Sequence, residues 1–328
     1  MKVALIGLGS VGRGVAEMVI KKDLGITITG VADSRSGCME SPGIDIPVLL
    51  AKKKKTGLCG NPEISAMDIV QNADYDLLVE VSPTNALTGE PSIGYIKAAL
   101  GRGKHVVTSN KGPVSLACTE LRMMAQKNGV AFRYEATVAG AIPVMHVLEH
   151  GLGGNEILAL YGVLNGTCNY ILTRMADEGL TYEQALLEAR EMGYAEADPT
   201  YDVQGIDAAI KLVILANTIW DNGVTLNDIE RTGIDLLTAD ALRLAEEEGC
   251  TIRLIAEAIP RKNLLRVSPR IIGKNHPLVV EGTLNALTFE TDMAKEITLI
   301  GRGAGSVETA SAIIGDLLFI RDHYDRRA

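Results

Sequence analysis

Short apolar runs alternate with helical patterns along the first 133 residues. Helical spacing of apolar positions marks residues 11–21, 92–100 and 114–127. The apolar runs lie at residues 3–6, 26–32, 77–81, 105–108 and 130–133. Strands that alternate with helices favour a parallel, doubly wound sheet, and continuously apolar strands indicate burial on both faces. The pattern therefore predicts an α/β, Rossmann-type domain over residues 1–133.

The pattern changes after about residue 134 and predicts a second domain over residues 134–300. Helices are predicted over residues 166–178, 181–192 and 204–220. Strands joined by short links are predicted over residues 251–259, 264–272 and 284–291, which favours an α+β domain with an antiparallel or mixed sheet. A last strand, a glycine-rich turn and a helix then resemble the first domain. We therefore expect residues 301–328 to return to it.

Bulk composition narrows the class of protein. A chain of 328 residues is long enough for two domains, and its net charge of −9 gives nucleic acid or anionic membrane no general attraction. No apolar stretch approaches the ~20 residues that a membrane span requires, and the first residues lack the pattern of a signal peptide. The five cysteines include no CxxC pair. Together these features predict a cytoplasmic protein with reduced thiols.

A glycine-rich turn directly follows the first predicted strand. Residues 7–12 have the sequence GLGSVG, a GxGxxG pattern placed between a strand and a helix as a dinucleotide site requires. Gly7 permits the tight turn, Gly9 lets the backbone approach the pyrophosphate, and Gly12 lets helix and strand pack closely. The helix N-terminus presents free N–H groups to the phosphates. We therefore predict that the chain binds NAD or NADP.

The choice between the two cofactors stays open at the end of the second predicted strand. Asp33 lies 21 residues after Gly12, where an acidic residue binds the ribose hydroxyls. Its carboxylate favours NAD because it would repel a 2′-phosphate. Arg35 favours NADP because it could bind that phosphate. The four lysines at residues 52–55 could assist Arg35 or belong to a solvated loop.

Residues 189–211, AREMGYAEADPTYDVQGIDAAIK, carry the most informative pattern in the chain. Asp202 can cap the helix predicted to follow it. That helix is apolar all round, which predicts that it is buried. Asp207 and Lys211 interrupt it at positions i and i+4, on one face. Burying these charges costs several kcal/mol unless they pair or line a polar cavity, so they form either a structural ion pair or part of a site.

The chemistry of hydride transfer favours a site. Transfer to a carbonyl builds negative charge on oxygen, which a lysine ammonium can stabilise and protonate. Carboxylates beside the lysine can bind a substrate ammonium. Glu196, Asp207 and Lys211 therefore predict a pocket for a small amino acid that carries a carbonyl or hydroxyl group.

The segment 189–211 resembles the signature of homoserine dehydrogenases, A-x3-G-Y-x-E-x-D-P-x2-D-x-x-G-x-D-x3-K, and matches every fixed position. Other parts of the chain are similar to the same family. These are GLGSVG at 7–12, VVTSNKGP at 106–113, YEATVAGAIP at 134–143, LNGTCNYI at 164–171 and GRGAG at 301–305. The resemblance covers nearly the whole chain, in the order in which the family carries these motifs.

The resemblance implies an enzyme that interconverts L-aspartate 4-semialdehyde and L-homoserine with NAD(P), in threonine and methionine biosynthesis. Lys211 would be the proton donor and would share catalytic and substrate-orienting work with Lys111, whose position alone fits a surface charge equally well. Glu196 and Asp207 would bind the substrate, with Gly193 where substrate and nicotinamide meet. The predicted cofactor-binding set is Gly7, Leu8, Gly9, Ser10, Val11, Gly12, Asp33, Arg35, Ser82, Ser109, Lys111 and Gly305.

The resemblance also implies an ion site and a partner. In the family, the stretch that matches Glu135, Val138, Gly140 and Ile142 binds a monovalent cation such as sodium, mostly through backbone carbonyls. In the family, the sheet of the second domain also forms a dimer interface, so we expect a homodimer. Because the chain ends soon after the last predicted helix, we expect no C-terminal regulatory domain.

Two alternatives are weaker. An aspartate-semialdehyde dehydrogenase needs a cysteine nucleophile with a histidine base. Cys168 has no obvious histidine partner, since His146 and His150 lie on a different predicted helix. A non-catalytic redox sensor that binds NAD would keep the glycines but could lose Lys211 and Asp207, and both are present.

Overall fold

The computed structural model describes residues 1–324, which fall into two compact units with one sheet each. The first unit comprises Met1–Gly140 together with the segment from Gly305 onward, and the second comprises Ala141–Ala304. One sheet is doubly wound and the other is mixed. The predicted fold class is confirmed. None of the helices described has the length and apolarity that a membrane span needs.

The first unit alternates strands and helices through most of its length. Its elements are β1 Lys2–Ile6, α1 Ser10–Lys21, β2 Thr27–Ala32, β3 Gly37–Met39, α2 Ile46–Thr56, α3 Ala66–Asn72, β4 Leu77–Glu80, α4 Ser92–Gly101, β5 His105–Thr108, α5 Lys111–Lys127 and β6 Phe132–Arg133. The strand order is β3-β2-β1-β4-β5-β6, parallel except for edge strand β3. The order reverses between β1 and β4, and ligands bind at such a switch point.

Three elements of the first unit, β3, α2 and α3, were not predicted from the apolar pattern. The interpretation of residues 52–55 as a solvated loop was wrong, because they lie in the last turns of α2. Asp45 caps this helix by accepting a hydrogen bond from the backbone N–H of Val48, and Pro47 lies in its first turn. Lysine is a good helix former, and lysines in the last turn interact favourably with the helix dipole.

The second unit packs helices against a mixed sheet. Its elements are α6 Val144–His146, β7 Ile157–Val163, α7 Gly166–Glu178, α8 Tyr182–Glu191, α9 Thr200–Val203, α10 Ile206–Trp220, β8 Glu230–Arg231, α11 Ala239–Glu247, β9 Cys250–Ile259, β10 Leu264–Gly273, β11 Leu284–Thr291 and β12 Glu296–Arg302. The strand order is β12-β11-β7-β9-β10-β8, antiparallel except where β8 pairs with β10. Residues 207–217 of α10 are all buried, as predicted from its apolar character.

The last helix, α12 Ser306–His323, belongs to the first unit. Its first hydroxyl, Ser306 Oγ, donates to the carbonyl of Ser10 at 2.8 Å. Further along, the buried carboxylate of Asp316 accepts hydrogen bonds from Arg133 Nε and from the backbone N–H of Glu135, both at 3.0 Å. These contacts fix α12 against α1 and against the end of the sheet at β6.

Candidate active site

The glycine turn between β1 and α1 is shaped by close backbone contacts. Gly7 has φ of 101°, and a Cβ atom there would lie 2.5 Å from the carbonyl oxygen of Val81. A Cβ atom on Gly12 would lie 2.0 Å from the carbonyl oxygen of Gly7. At Gly9, by contrast, a Cβ atom would meet open space. Gly7 and Gly12 are therefore required by the fold, whereas Gly9 leaves room beside the turn.

The N-terminus of α1 has the free donors that a pyrophosphate requires. Gly9 is its N-cap, no side chain caps it, and its first turn carries no acidic residue. Ser10 and Val11 begin the helix, and the buried side chain of Leu8 leaves only its backbone to contact a ligand. Uncapped N–H groups and the positive end of the helix dipole favour an anion at this position.

Asp33 follows β2 at the same edge of the sheet, and its carboxylate already accepts hydrogen bonds from other parts of the chain. It accepts hydrogen bonds from the backbone N–H groups of Arg35 and Ser36 at 2.8 and 2.9 Å. It also pairs with the ammonium of Lys53 on α2. Burial alone would raise the pKa of Asp33, but Lys53 and the backbone donors lower it below its ordinary value. Arg35 donates to the carbonyl of Gly57.

A buried carboxylate joins the ends of β4 and β5. Glu80 is fully buried and accepts hydrogen bonds from the backbone N–H of Ser82 at 2.9 Å, from the Ser82 hydroxyl and from Thr108 Oγ1 at 3.0 Å. Burial raises the pKa of Glu80, and these hydrogen bonds oppose the rise. The network extends to Asn110, whose side chain donates to Ser92 Oγ and accepts from the backbone of Gly112.

This network fixes the loops that carry three predicted cofactor-binding residues, Ser82, Ser109 and Lys111. The backbone N–H of Ser109 donates to the carbonyl of Glu80 at 3.3 Å. Lys111 is the first residue of α5, directly after its cap Asn110. Sequence reasoning missed Glu80, although one signal was present: it is the only charged residue in the apolar run at 77–81.

Asp207 and Lys211 form a buried ion pair on α10. The Lys211 ammonium lies 2.8 Å from Asp207 Oδ2, and the two side chains are only 10% and 8% exposed. The ammonium also donates to the carbonyl of Leu164, at the end of β7, at 2.6 Å. Asn165 Nδ2 donates to the same Asp207 oxygen at 2.9 Å. The structure thus brings together the predicted pair and adds two partners from another part of the chain.

The expectation that Asp202 caps α10 was wrong. Asp202 lies inside the short helix α9, and Gly205 in a left-handed conformation occupies the N-cap of α10. The carboxylate of Asp202 instead accepts from Asn165 Nδ2 at 2.7 Å. Burial raises the pKa of Asp202, and the nearby charge of Asp207 adds to the rise. The left-handed residue between the two helices turns the chain before the second one begins, which separates Asp202 from its first turn.

The loop after α8 carries Gly193 and Glu196. Glu196 is exposed, and Gly193 adopts a positive φ of 74°. The loop is attached to α7 through Thr167, whose hydroxyl donates to the carbonyl of Tyr194 at 2.9 Å. The Tyr194 ring also packs edge-on against Tyr170 of α7, with centroids 4.8 Å apart. These contacts place Gly193 and Glu196 next to the end of α7 that follows Asn165.

The stretch proposed for cation binding is a turn rich in unusual backbone conformations. Glu135 begins a 3-10 turn that ends at Thr137, and Ala139 and Gly140 have φ of 60° and 54°. The carbonyl of Ile142 accepts the backbone N–H of Val144 at 2.8 Å. Within the described chain, no cluster of three or more histidine, cysteine or acidic side chains could hold a metal. Backbone carbonyls are hard oxygen donors, which is the chemistry a sodium ion prefers.

Gly305, the last predicted cofactor contact, is the N-cap of α12 and has φ of 130°. A Cβ atom there would lie 2.1 Å from a carboxylate oxygen of Glu308. The positive φ therefore favours glycine at this position, whereas the flexible Glu308 side chain can move aside for a Cβ atom. Like Gly9, it leaves a helix N-terminus without a side-chain cap.

Comparison with known proteins decides the family. Residues 7–135 match the family model of the homoserine dehydrogenase NAD-binding domain, and residues 143–318 match the homoserine dehydrogenase model. The chain belongs to the homoserine dehydrogenase family. The resemblance found in the sequence is thereby confirmed, and the chain is an NAD(P)-dependent oxidoreductase acting on homoserine in amino-acid biosynthesis.

Relatives in the homoserine dehydrogenase family align along the whole chain. A homoserine dehydrogenase of Methanocaldococcus jannaschii is 43% identical and covers 98% of both chains. An NAD(+)-dependent homoserine dehydrogenase of Pseudomonas canavaninivorans is 36% identical, covering 99% of this chain and 97% of its own. A crystal structure from Archaeoglobus fulgidus assigned to the same family is 47% identical, covers 98% and 99% of the two chains and superposes with a TM-score of 0.92.

Proposed function

We propose that the chain interconverts L-homoserine and L-aspartate 4-semialdehyde, with Lys211 as the proton donor to the substrate oxygen. The observation that carries this assignment is the environment of the Lys211 ammonium. A lysine ammonium has three N–H donors. One points to Asp207 and one to the carbonyl of Leu164. The third remains for a substrate oxygen, so the ammonium is already oriented for the reaction.

The nicotinamide, when bound, supplies or accepts the hydride. Lys211 would stabilise the negative charge that develops on the substrate oxygen and would transfer its proton to that oxygen. In the reverse direction the same nitrogen would accept the hydroxyl proton. Lys111 would assist in orienting the substrate. Asp207, Glu196 and the backbone at Gly193 would bind the amino-acid end, where carboxylates match the substrate ammonium.

The cofactor contacts come from the glycine turn, from Asp33 and Arg35, and from the loops at Ser82, Ser109, Lys111 and Gly305. We propose that both NAD and NADP are accepted. The pairing of Asp33 with Lys53 places a cation beside the carboxylate that would otherwise repel a 2′-phosphate. Lys53→Met is therefore expected to raise the KM for NADP more than the KM for NAD.

The remaining assignments follow the family. Residues 1–133 would bind the dinucleotide, residues 134–300 would bind substrate and dimerise, and residues 301–328 would complete the first domain. A sodium ion would be held mainly by the carbonyls of Glu135, Val138, Gly140 and Ile142. A homodimer would form through the second sheet, as the resemblance to the family implies. Light scattering would contradict the dimer if it gave the mass of one chain.

The test combines an assay with one variant. The purified protein is mixed with homoserine and either NAD or NADP, and reduced nicotinamide is followed by absorbance. Lys211→Met is expected to lower kcat by ~10²-fold or more, the scale of losing one acid–base group. Cofactor binding, measured by fluorescence titration, is expected to be unchanged. Wild-type turnover in the variant would refute the role of Lys211, and no reaction with homoserine in the unmodified protein would refute the substrate.

A further inference from the structure

Asn165 uses its whole side chain to connect three parts of the second unit. It is the N-cap of α7, and its Oδ1 accepts the backbone N–H of Cys168 at 2.8 Å. Its Nδ2 donates one hydrogen bond to Asp202 Oδ1 at 2.7 Å and one to Asp207 Oδ2 at 2.9 Å. The residue is 4% exposed. Both amide N–H groups thus donate to carboxylates on different helices, of which Asp207 is buried and Asp202 is partly buried.

Capping alone does not explain asparagine at this position. Serine and aspartate cap helices about as well as asparagine does. A serine hydroxyl has one donor and cannot serve Asp202 and Asp207 together. An aspartate would place a third carboxylate between them. Only asparagine combines an acceptor for the helix with two neutral donors for the carboxylates.

The two N–H donors of the Asn165 side chain lie among charged groups and therefore affect the ionisation of the neighbouring carboxylates. Asp202 from α9 and Asp207 and Lys211 from α10 face it, and the Cys168 thiol lies beside Asp202. Burial raises the pKa of Asp202, and the nearby negative charge of Asp207 raises it further. The hydrogen bond from Asn165 lowers the pKa of Asp202. Burial keeps the pKa of Cys168 well above its ordinary value, so the thiol stays neutral. Without the amide, Asp202 and Asp207 would each lose one hydrogen-bond donor close to each other's charge.

We propose that Asn165 is a positioning residue that keeps Asp202 and Asp207 ionised side by side and thereby holds Lys211 in its catalytic orientation. This inference rests on the proposed roles of Lys211 and Asp207. The neighbouring backbone supports this proposal, because the carbonyl of Leu164, the residue before Asn165, accepts a hydrogen bond from the Lys211 ammonium. The peptide at 164–165 therefore orients both members of the ion pair.

Two variants separate capping from the donor role. Asn165→Ser keeps a capping oxygen and removes both amide donors. Asn165→Asp keeps the shape and the cap but replaces the donors with a carboxylate. Thr238→Ala is the control, since Thr238 caps α11 through the N–H of Ala241 and has no contact with the carboxylates. The measurement is the pH profile of kcat/KM for homoserine.

Losing a donor raises the pKa of a carboxylate, so the acidic limb of the profile is expected to move to higher pH. The shift should be about one pH unit or more in Asn165→Asp and smaller in Asn165→Ser, where one unit corresponds to a tenfold change in protonation equilibrium. The KM for homoserine is expected to rise in both variants, and Thr238→Ala should keep the wild-type profile. A wild-type acidic limb and KM in Asn165→Ser would overturn the proposal and leave only a capping role.

A second measurement does not depend on catalysis. A carboxyl group whose pKa is higher in the folded than in the unfolded protein binds protons more tightly in the folded state. The stability that this proton binding contributes is lost as pH rises through the folded-state pKa. The midpoint of urea unfolding of Asn165→Asp should therefore fall further below that of the unmodified protein at about pH 8 than at about pH 5. An equal deficit at both pH values would overturn the electrostatic role. If Lys211→Met kept full turnover while this pH dependence was found, the proposed catalysis would fail and the role of Asn165 toward the carboxylates would stand.

Discussion

Removal of the Lys211 charge tests the energetics of the ion pair that carries the proposed function. Lys211→Met keeps the length and apolar stem of the side chain and deletes only the ammonium. Asp207, whose side chain is 8% exposed, is then left without its cation at 2.8 Å. Breaking a buried pair on one side costs ~3–5 kcal/mol. Because Asn165 still donates to Asp207, we expect the lower end, ~3 kcal/mol.

The double variant shows whether this cost belongs to the pair. Asp207→Asn alone leaves the ammonium with the Leu164 carbonyl, so ~3 kcal/mol is again expected. Asp207→Asn combined with Lys211→Met removes both charges and should cost no more than either single change, which gives a coupling energy of ~3 kcal/mol or more. Arg243 and Glu247 on α11 are the control, an exposed pair with the same spacing at 2.6 Å. Their coupling should be ~0.5 kcal/mol or less.

The chain provides a local probe for this experiment. Trp220 is its single tryptophan, ends α10 and donates through Nε1 to the carbonyl of Ile157 at 3.0 Å. Urea unfolding followed by tryptophan fluorescence therefore reports on the helix that carries the pair. Added salt should weaken the coupling of the exposed pair and leave the buried one nearly unchanged. A buried coupling as small and as salt-sensitive as that of Arg243 and Glu247 would refute the reasoning.

Three further outcomes are expected. Gly9→Ala should leave the urea midpoint unchanged and raise the KM for the cofactor, whereas Gly12→Ala should destabilise the protein, because a methyl group meets open space at one position and the Gly7 carbonyl at the other. Glu80→Gln should lower the free energy of unfolding by ~1–3 kcal/mol, because the new side-chain NH2 group would face groups that donate hydrogen bonds to Glu80. Its raised native pKa makes the unmodified protein lose stability as pH rises, so this cost should be smaller at about pH 8 than at about pH 5. In native protein treated with iodoacetamide, mass spectrometry should find Cys38 modified long before the buried Cys168; equal rates would contradict the packing around α7.

The first sheet could be predicted because its parallel strands are buried on both faces and appear as continuous apolar runs. The elements that were missed have weaker patterns. Strand β3 has three residues, and only Ile46 and Leu49 of α2 are buried. In the second unit, β7 was missed although Ile157–Val163 is mostly apolar. A short apolar run does not distinguish a strand from a buried helix by periodicity alone.

The site was predictable only where its partners lie close in sequence. Asp207 and Lys211 are four residues apart on an apolar helix, so their pairing follows from helix geometry. Asn165 lies 42 residues before Asp207, and Thr108 lies 28 residues after Glu80. Such contacts depend on how strands and helices assemble, and one sequence carries no local sign of them. The same holds for the pairing of Asp33 with Lys53, since α2 was not predicted.

The cost of the buried pair is itself an argument for its function. Replacing a buried ion pair with apolar residues of similar volume is often neutral or stabilising by ~1–4 kcal/mol. Apart from this pair, helix α10 is apolar from residue 206 to 216, and it is buried from residue 207 to 217, so two such residues would fit its packing. A chain selected for stability alone would gain from that exchange. An oriented proton donor instead requires two charges that are held in place, here by an amide and a carbonyl from another segment. We therefore expect an apolar double variant at Asp207 and Lys211 to be stable but inactive.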